Sequence, residues 1–181
     1  MSNHPPFDPA HTCCFSGSRP EKLGFDWQRN PDFFEILRRD LRDAILRAIE
    51  LDYTRFITGM SRGFDLWAAQ EVLALRRSHP TLELIAALPF PGMHTHWTPD
   101  WRACFDSVQQ ACDYTAIFAD AYLPGCYHAR DSYMVQESSR VICWYNHGTT
   151  GGTAYTCRLA MRRGRTLDNI YQPFYQAAAP H

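Results

Sequence analysis

The sequence predicts an α/β protein, a Rossmann-like three-layer sandwich built on a mainly parallel sheet. Three observations carry this prediction. Apolar runs of strand length alternate about five times with stretches of helical periodicity. Those runs are continuous rather than alternating, as expected of strands covered on both faces. Parallel strands joined through helices also cross over in a right-handed sense, which puts helices on both sides of the sheet. Ligands bind such sheets beyond the carboxyl ends of the strands, where strand order reverses, so the loops that follow the strands are the ones to read for chemistry.

The first strand is TCCFSGS (12–18), ended by Gly17, and residues 19–31, with Pro20, Gly24 and Pro31, read as a loop. DFFEILRRDLRDAILRAIE (32–50) is a helix, because Phe34, Leu37, Leu41, Ile45 and Ala48 recur at steps of three and four. Asp32 is placed to cap its start, and Glu35–Arg39 and Asp43–Arg47 are spaced to pair on its wet side. TRFITG (54–59) is the second strand, with a helix from about Asp65 to Arg77. LELIAALP (82–89) is the third, closed by the Pro-Phe-Pro-Gly turn at 89–92. A helix over 100–112 leads to a fourth strand over 114–119. A long polar and aromatic loop (120–132) precedes a helix near 131–138, and RVICWY (140–145) is the fifth strand. GTTGGTAYTCRLAMRRG (148–164) is a glycine-rich turn and helix, and TLDNIY (166–171) is a weaker last strand. The organisation expected is a flexible segment over 1–11, one domain over 12–171 and a tail over 172–181.

Bulk properties fit one domain. A length of 181 residues suffices for a sizeable core, and 45% hydrophobic with 20% charged residues is ordinary for a globular chain. A net charge of −1 supplies no global field to draw nucleic acid or an anionic membrane. No apolar run approaches the roughly 20 residues that span a bilayer. The start, MSNHPPFDPAHT, lacks a basic region followed by an apolar stretch, so the expected location is cytoplasmic. The seven cysteines are odd in number and form no CxxC pair, which favours free, structural thiols over a disulfide framework.

Three strand exits carry small residues and hydroxyls: SGSRP (16–20), TGMSRGFD (58–65) and HGTTGGTAYT (147–156). The last two run straight into helices, whose unpaired N–H groups and partial positive charge suit an anion. Thr150, Thr153 and Thr156 add hydroxyl donors, and Arg19 and Arg62 add charge. GxxxxGK[ST] is absent, which excludes a P-loop ATPase, and GxGxxG is absent too, which argues against an ordinary dinucleotide-binding dehydrogenase. Each loop alone reads first as a turn; three on one sheet edge read as a phosphate site. Arg62 has two readings, a guanidinium facing a phosphate or a surface partner of Asp65 across the turn. Trp67 reads as core, whereas Trp97, Trp101, Tyr122, Tyr127 and Tyr133 are open to edge packing or to stacking on a base. His94 and His96 lack a third ligand at a spacing that completes a metal site. His128, Arg130 and Asp131 are held together by one long loop near the strand exits.

FSGSRP, ITGMSRGFDLWAAQ, LPFPGM with Trp97 beyond it, RDSYMVQESSRVICWYN and GGTAYT, in that order, resemble the YpsA-like proteins of the SLOG superfamily. That group is related in fold to the Rossmann-like domain of DprA and to the LOG (lysine decarboxylase-like) phosphoribohydrolases. The resemblance runs from about residue 12 to 171. It implies binding of a nucleotide or nucleotide-derived small molecule, with a ligand sensor as one form of that function. It places Gly17, Ser18 and Arg19, then Gly59, Ser61, Arg62, Gly63 and Asp65, then Gly151, Gly152 and Thr153 at the ligand. Arg130 matches the family's basic position before its fifth strand; Asp131 stands where asparagine is common, and Ser139 where aspartate is.

LOG enzymes carry PGGxGTxxE, whose glutamate serves glycosidic cleavage, but TTGGTAYT here has Tyr155 and Thr156 in the region of that glutamate. The alternative function is therefore a hydrolase of the N-glycosidic bond of a nucleoside monophosphate, drawing on Asp65, Arg130 or Glu137. Single-stranded nucleic-acid binding, as in DprA, has little support from a chain without a basic tract. No cofactor and no metal are expected, no membrane is a partner, and a homodimer formed by helix packing follows from the resemblance.

Overall fold

The computed structural model describes residues 7–174. The outer parts of the expected N-terminal segment and C-terminal tail, 1–6 and 175–181, lie outside the described residues. Within the former, Pro9–His11 form a 3-10 turn capped by Asp8, and Phe7 packs edge-on against Tyr114 at 6.1 Å.

Six strands form one all-parallel sheet: β1 (Thr12–Ser16), β2 (Arg55–Thr58), β3 (Glu83–Leu88), β4 (Tyr114–Ile117), β5 (Arg140–Cys143) and β6 (Thr166–Asn169). Five helices connect them: α1 (Pro31–Glu50), α2 (Phe64–Leu75), α3 (Pro99–Ala111), α4 (Cys126–Gln136) and α5 (Gly152–Arg162). The strand order is β4-β3-β2-β1-β5-β6. The chain moves outward from β1 to β4 and then returns to lay β5 on the other side of β1. That reversal opens a crevice between the carboxyl ends of β1 and β5, where neighbouring connections leave toward opposite faces.

The α/β expectation holds, and the two cores show why the strands read as continuous apolar runs. Alternate strand residues face opposite layers. Phe15, Phe56, Leu84 and Ile142 join α1, α2 and α3 in one core, while Cys14, Ile57, Ile85, Val141 and Cys143 join α4 and α5 in the other. On α1 the periodic residues Leu37, Leu41, Ala44, Ile45 and Ala48 are buried. Each large one contributes about 1.5–3 kcal/mol by leaving water. Helix α2 has no wet face to speak of, and Glu71, one of its two buried acids, is met by Arg38 at 2.5 Å and Arg42 at 3.3 Å from α1.

Local expectations needed correction. Asp32 does not cap α1; Asn30 occupies that position without a side-chain bond, and Pro31 opens the helix, where its missing N–H is no loss. Arg39 pairs with Asp40 and Arg47 reaches Asp168 at 3.3 Å, in place of the helical pairs expected with Glu35 and Asp43. Exposed i,i+4 pairs are worth only a few tenths of a kcal/mol, so a chain neighbour at Arg39 and a tertiary partner at Arg47 displace them. Helix α4 begins at Cys126, several residues earlier than its polar sequence suggests, because Gly125 takes a left-handed φ of 88° and turns the chain into it. Among the described residues no helix is long and apolar enough to cross a membrane.

Candidate functional site

A cavity of about 510 Å³ occupies the crevice between β1 and β5. One wall is the exit of β1. Ser16, Gly17, Ser18 and Arg19 line it, with Lys22 from the following 3-10 turn. The loop is clamped onto α2: the N–H of Phe64 donates to the carbonyl of Ser18 at 3.3 Å. A Cβ on Gly17 would run into the Phe64 ring, so only glycine lets the β1 exit lie this close to the helix. Gly63, the residue before α2, has φ of 86°, and a Cβ there would stand 2.8 Å from the Pro20 ring. It serves the packing of the two loops and does not line the cavity.

The floor is charged and buried. Asp65, in the first turn of α2, is 6% exposed; Arg130 and Asp131 of α4 are 5% and 6% exposed. Arg130 donates from Nε to Asp131 Oδ1 at 2.7 Å and from Nη1 to the carbonyl of Gly59. Asp65 Oδ2 accepts the Ser61 N–H at 3.4 Å, and the Asp65 carbonyl accepts the Thr58 hydroxyl at 3.0 Å. Asp65 Oδ1 has no hydrogen-bond partner. Asp131 therefore holds the guanidinium directly, while Asp65 feels it only at a distance. Burial pushes the Asp65 carboxyl up to about 7; Arg130 opposes the rise and Asp131 adds to it. Met60, between these groups, is fully buried in a left-handed conformation with φ of 58°, its N–H held by the Thr58 hydroxyl at 3.1 Å. Such a conformation persists only where its surroundings fix it, and it commonly sits beside functional groups.

The facing wall is the β5 exit and the start of α5. Trp144 and Tyr145 continue from β5, and the Trp144 N–H donates to the Ser16 carbonyl at 3.0 Å, which ties this wall to the first. The loop that follows is braced from within: Arg158 reaches the Thr149 carbonyl at 2.8 Å, and the Tyr145 hydroxyl reaches the Gly148 carbonyl at 3.1 Å. Gly151, with φ of 93°, turns the chain into α5, and no side chain caps that helix. Thr150, Gly151, Gly152, Thr153 and Thr156 line the cavity. The first N–H groups of α5 therefore lack intrahelical acceptors where the cavity is. At the rim His128 stacks on Tyr155, centroids 4.3 Å apart.

The structure thus brings together most residues expected from the sequence: Gly17, Ser18, Arg19, Ser61, Asp65, Arg130, Gly151, Gly152 and Thr153 all line one cavity. It leaves out four. Gly59 lies behind Arg130, Gly63 lies between loops, and Arg62 and Glu137 are elsewhere. Arg62 pairs neither with Asp65 nor with the cavity; it donates to Glu21 at 2.9 Å, its guanidinium 5.8 Å from the Trp97 ring centroid. Glu137 follows α4, which runs antiparallel to the strands, so it emerges at their amino ends beside the Phe7 N–H at 3.3 Å. His94 stacks on Phe105 at 3.9 Å and contacts Asp106, and no group of three metal-ligating side chains occurs among the described residues. Trp67 and Trp101 pack with Trp27 in one aromatic cluster. Lys22, Trp144 and Asn146 are lining residues that the sequence reading missed; each stands within a few positions of a strand exit, the one signal that marked them.

The sequence model of the YspA SLOG family (YpsA) matches residues 13–172. A UPF0398 protein of Brevibacillus brevis is 23% identical over 161 residues, covering 88% of this chain and 84% of that protein. A UPF0398 protein of Halalkalibacterium halodurans is 25% identical over 150 residues, covering 82% and 79%. One from Bacillus cereus strain B4264 is 22% identical over 161 residues, covering 88% and 86%. The matched span takes in all six strands and every wall of the cavity, and the chain belongs to the YpsA family of SLOG proteins.

Proposed function

We propose that the protein binds a nucleotide or nucleotide-derived small molecule in the β1–β5 cavity, with a phosphate at the start of α5. The observation that carries this reading is the meeting of that uncapped helix start with Arg19 and Lys22 across one cavity. Backbone N–H groups and the helix dipole attract an anion, and two exposed cations opposite them complete its neutralisation. A volume of about 510 Å³ suits a ligand of nucleotide size. Membership of the SLOG family points toward nucleotide chemistry as well.

Binding is favoured over glycosidic cleavage by the disposition of the acids. Glu137 is at the other edge of the sheet, and Asp131 is held by Arg130. Calorimetry with AMP, NAD and ADP-ribose, against adenosine, tests the reading, with recovered ligand analysed for free base. A phosphorylated compound should bind at least about tenfold more tightly than adenosine and be recovered intact. Equal affinities would defeat the phosphate assignment. Release of adenine would turn the reading to a hydrolase with Asp65 as its acid.

A further inference from the structure

We propose that the ring of His128 is the platform on which the ligand's aromatic base stacks, so that the cavity takes a whole nucleotide rather than a sugar phosphate. This rests on the nucleotide reading above and deepens it. Five aromatic residues line the cavity: Phe15, Tyr127, His128, Trp144 and Tyr145. Phe15 and Trp144 are each 1% exposed, so their rings belong to the core. Tyr127 is half-buried; the Arg130 guanidinium stands over its ring at 5.7 Å, and Phe90 meets it edge-on at 6.0 Å. Tyr145 is half-buried too, its hydroxyl on the Gly148 carbonyl at 3.1 Å and its ring centroid 5.0 Å from that of His147. Of the five, His128 is the exposed one.

An exposed ring by itself is ordinary. His128 differs in the way it is held. It stacks on Tyr155, with centroids 4.3 Å apart and 29° between the planes. Tyr155 does not line the cavity, so within the stacked pair it is His128 that meets the ligand space. Tyr155 is itself fixed, its hydroxyl 3.1 Å from that of Ser132, one turn along α4 from His128. Among the described residues His128 has no hydrogen bond and no ion pair, so stacking is what orients it. A ring braced through one face and otherwise exposed suits a flat aromatic partner, which covers it without breaking a polar contact.

Position agrees. Tyr155 belongs to the first turn of α5, the turn whose N–H groups meet the phosphate in the reading above. The packing of α4 on α5 thus brings the platform to the same helix turn as the phosphate site.

The test is calorimetry of the full chain with AMP and ribose 5-phosphate, on the wild type, His128→Ala and His128→Phe. The wild type should bind AMP roughly tenfold or more tighter than ribose 5-phosphate. His128→Ala should lose most of that difference, weakening AMP about tenfold and moving ribose 5-phosphate by less than about twofold. His128→Phe keeps a ring face but no ring nitrogen, and its AMP affinity should stay within about threefold of the wild type. Equal wild-type binding of the two compounds overturns the base contact and leaves the phosphate site standing. Equal losses for both compounds in His128→Ala, or no loss for either, also overturn it. A His128→Phe variant as weak as His128→Ala would assign the contact to the imidazole nitrogens and defeat stacking. If neither compound binds the wild type, the nucleotide reading itself fails and this inference with it. Should His128→Ala not fold, the wild-type comparison together with His128→Phe decides.

Discussion

Arg130 donates through Nη1 to the carbonyl oxygen of Gly59, fixing a helix on one face of the sheet to the exit of its second strand. The contact is possible only because position 59 has no side chain: a Cβ would stand 2.5 Å from Nη1 and 2.8 Å from Asp65 Oδ2. Neither neighbour can retreat, since both residues are buried and otherwise engaged.

Gly59→Ala should therefore destabilise the fold by about 1–3 kcal/mol, the usual penalty of overpacking a closed site. It should also weaken nucleotide binding, because Arg130 and Asp65 shift together. Urea unfolding and calorimetry on the same sample check both. An unchanged midpoint with full affinity would show that the floor is looser than its geometry indicates.

Arg62 and Arg19 should separate cleanly. Arg62 is spent on Glu21 and on the face of Trp97, so Arg62→Ala should leave affinity for AMP within about twofold of the wild type. Arg19 lines the cavity and is exposed, so Arg19→Ala should weaken AMP roughly tenfold and hardly alter adenosine. The reverse ranking would move the phosphate to the β2 exit.

Asp65 makes stability depend on pH in an unusual direction. Its carboxyl is raised from 3.8 to about 7, so the folded state holds a proton that the unfolded chain has already released between those values. Stability from this group falls as pH rises through that window. The penalty is absent below about 4 and complete above about 7, and is on the order of 2–4 kcal/mol. Asp65→Asn removes the titration while keeping an acceptor for the Ser61 N–H. The variant's melting temperature should exceed the wild type's by more at pH 8 than at pH 5. An equal difference at both pH values would refute a protonated Asp65.

The thiols should be inert in the folded protein. All seven cysteines are free; burial pushes Cys13 well above the ordinary thiol range and Cys14 to about 12, and a hydrogen bond with the Cys157 thiol, together with burial, pushes Cys143 well above it. Iodoacetamide at neutral pH should spare these three and modify all seven after unfolding in denaturant. Stoichiometric native labelling of Cys14, located by peptide mapping, would contradict that burial.

How much of this was legible beforehand differs by level. Continuous apolar runs of strand length at 12–16, 55–58, 83–88 and 140–143, alternating with helical stretches, fit strands covered on both faces, so the parallel sheet and its helices were legible in local pattern. Glycines at strand exits likewise marked the loops at 17–19 and 151–153, because the need for backbone without a side chain is local. The partners of individual charges were not legible. Arg62 beside Asp65 reads as a phosphate arginine or a cross-turn pair, yet Glu21, 41 positions away, takes it. Glu137 follows Arg130 by seven positions and was grouped with it as a candidate acid, yet α4 carries the two to opposite edges of the sheet. The sequence by itself determined which segments are strands, which are helices and which exits are open to a ligand, since those depend on neighbours in the chain. Only the tertiary structure decided that Asp65, Arg130 and Asp131 form one buried floor with an oxygen left over, because that depends on which helices the strand order brings together.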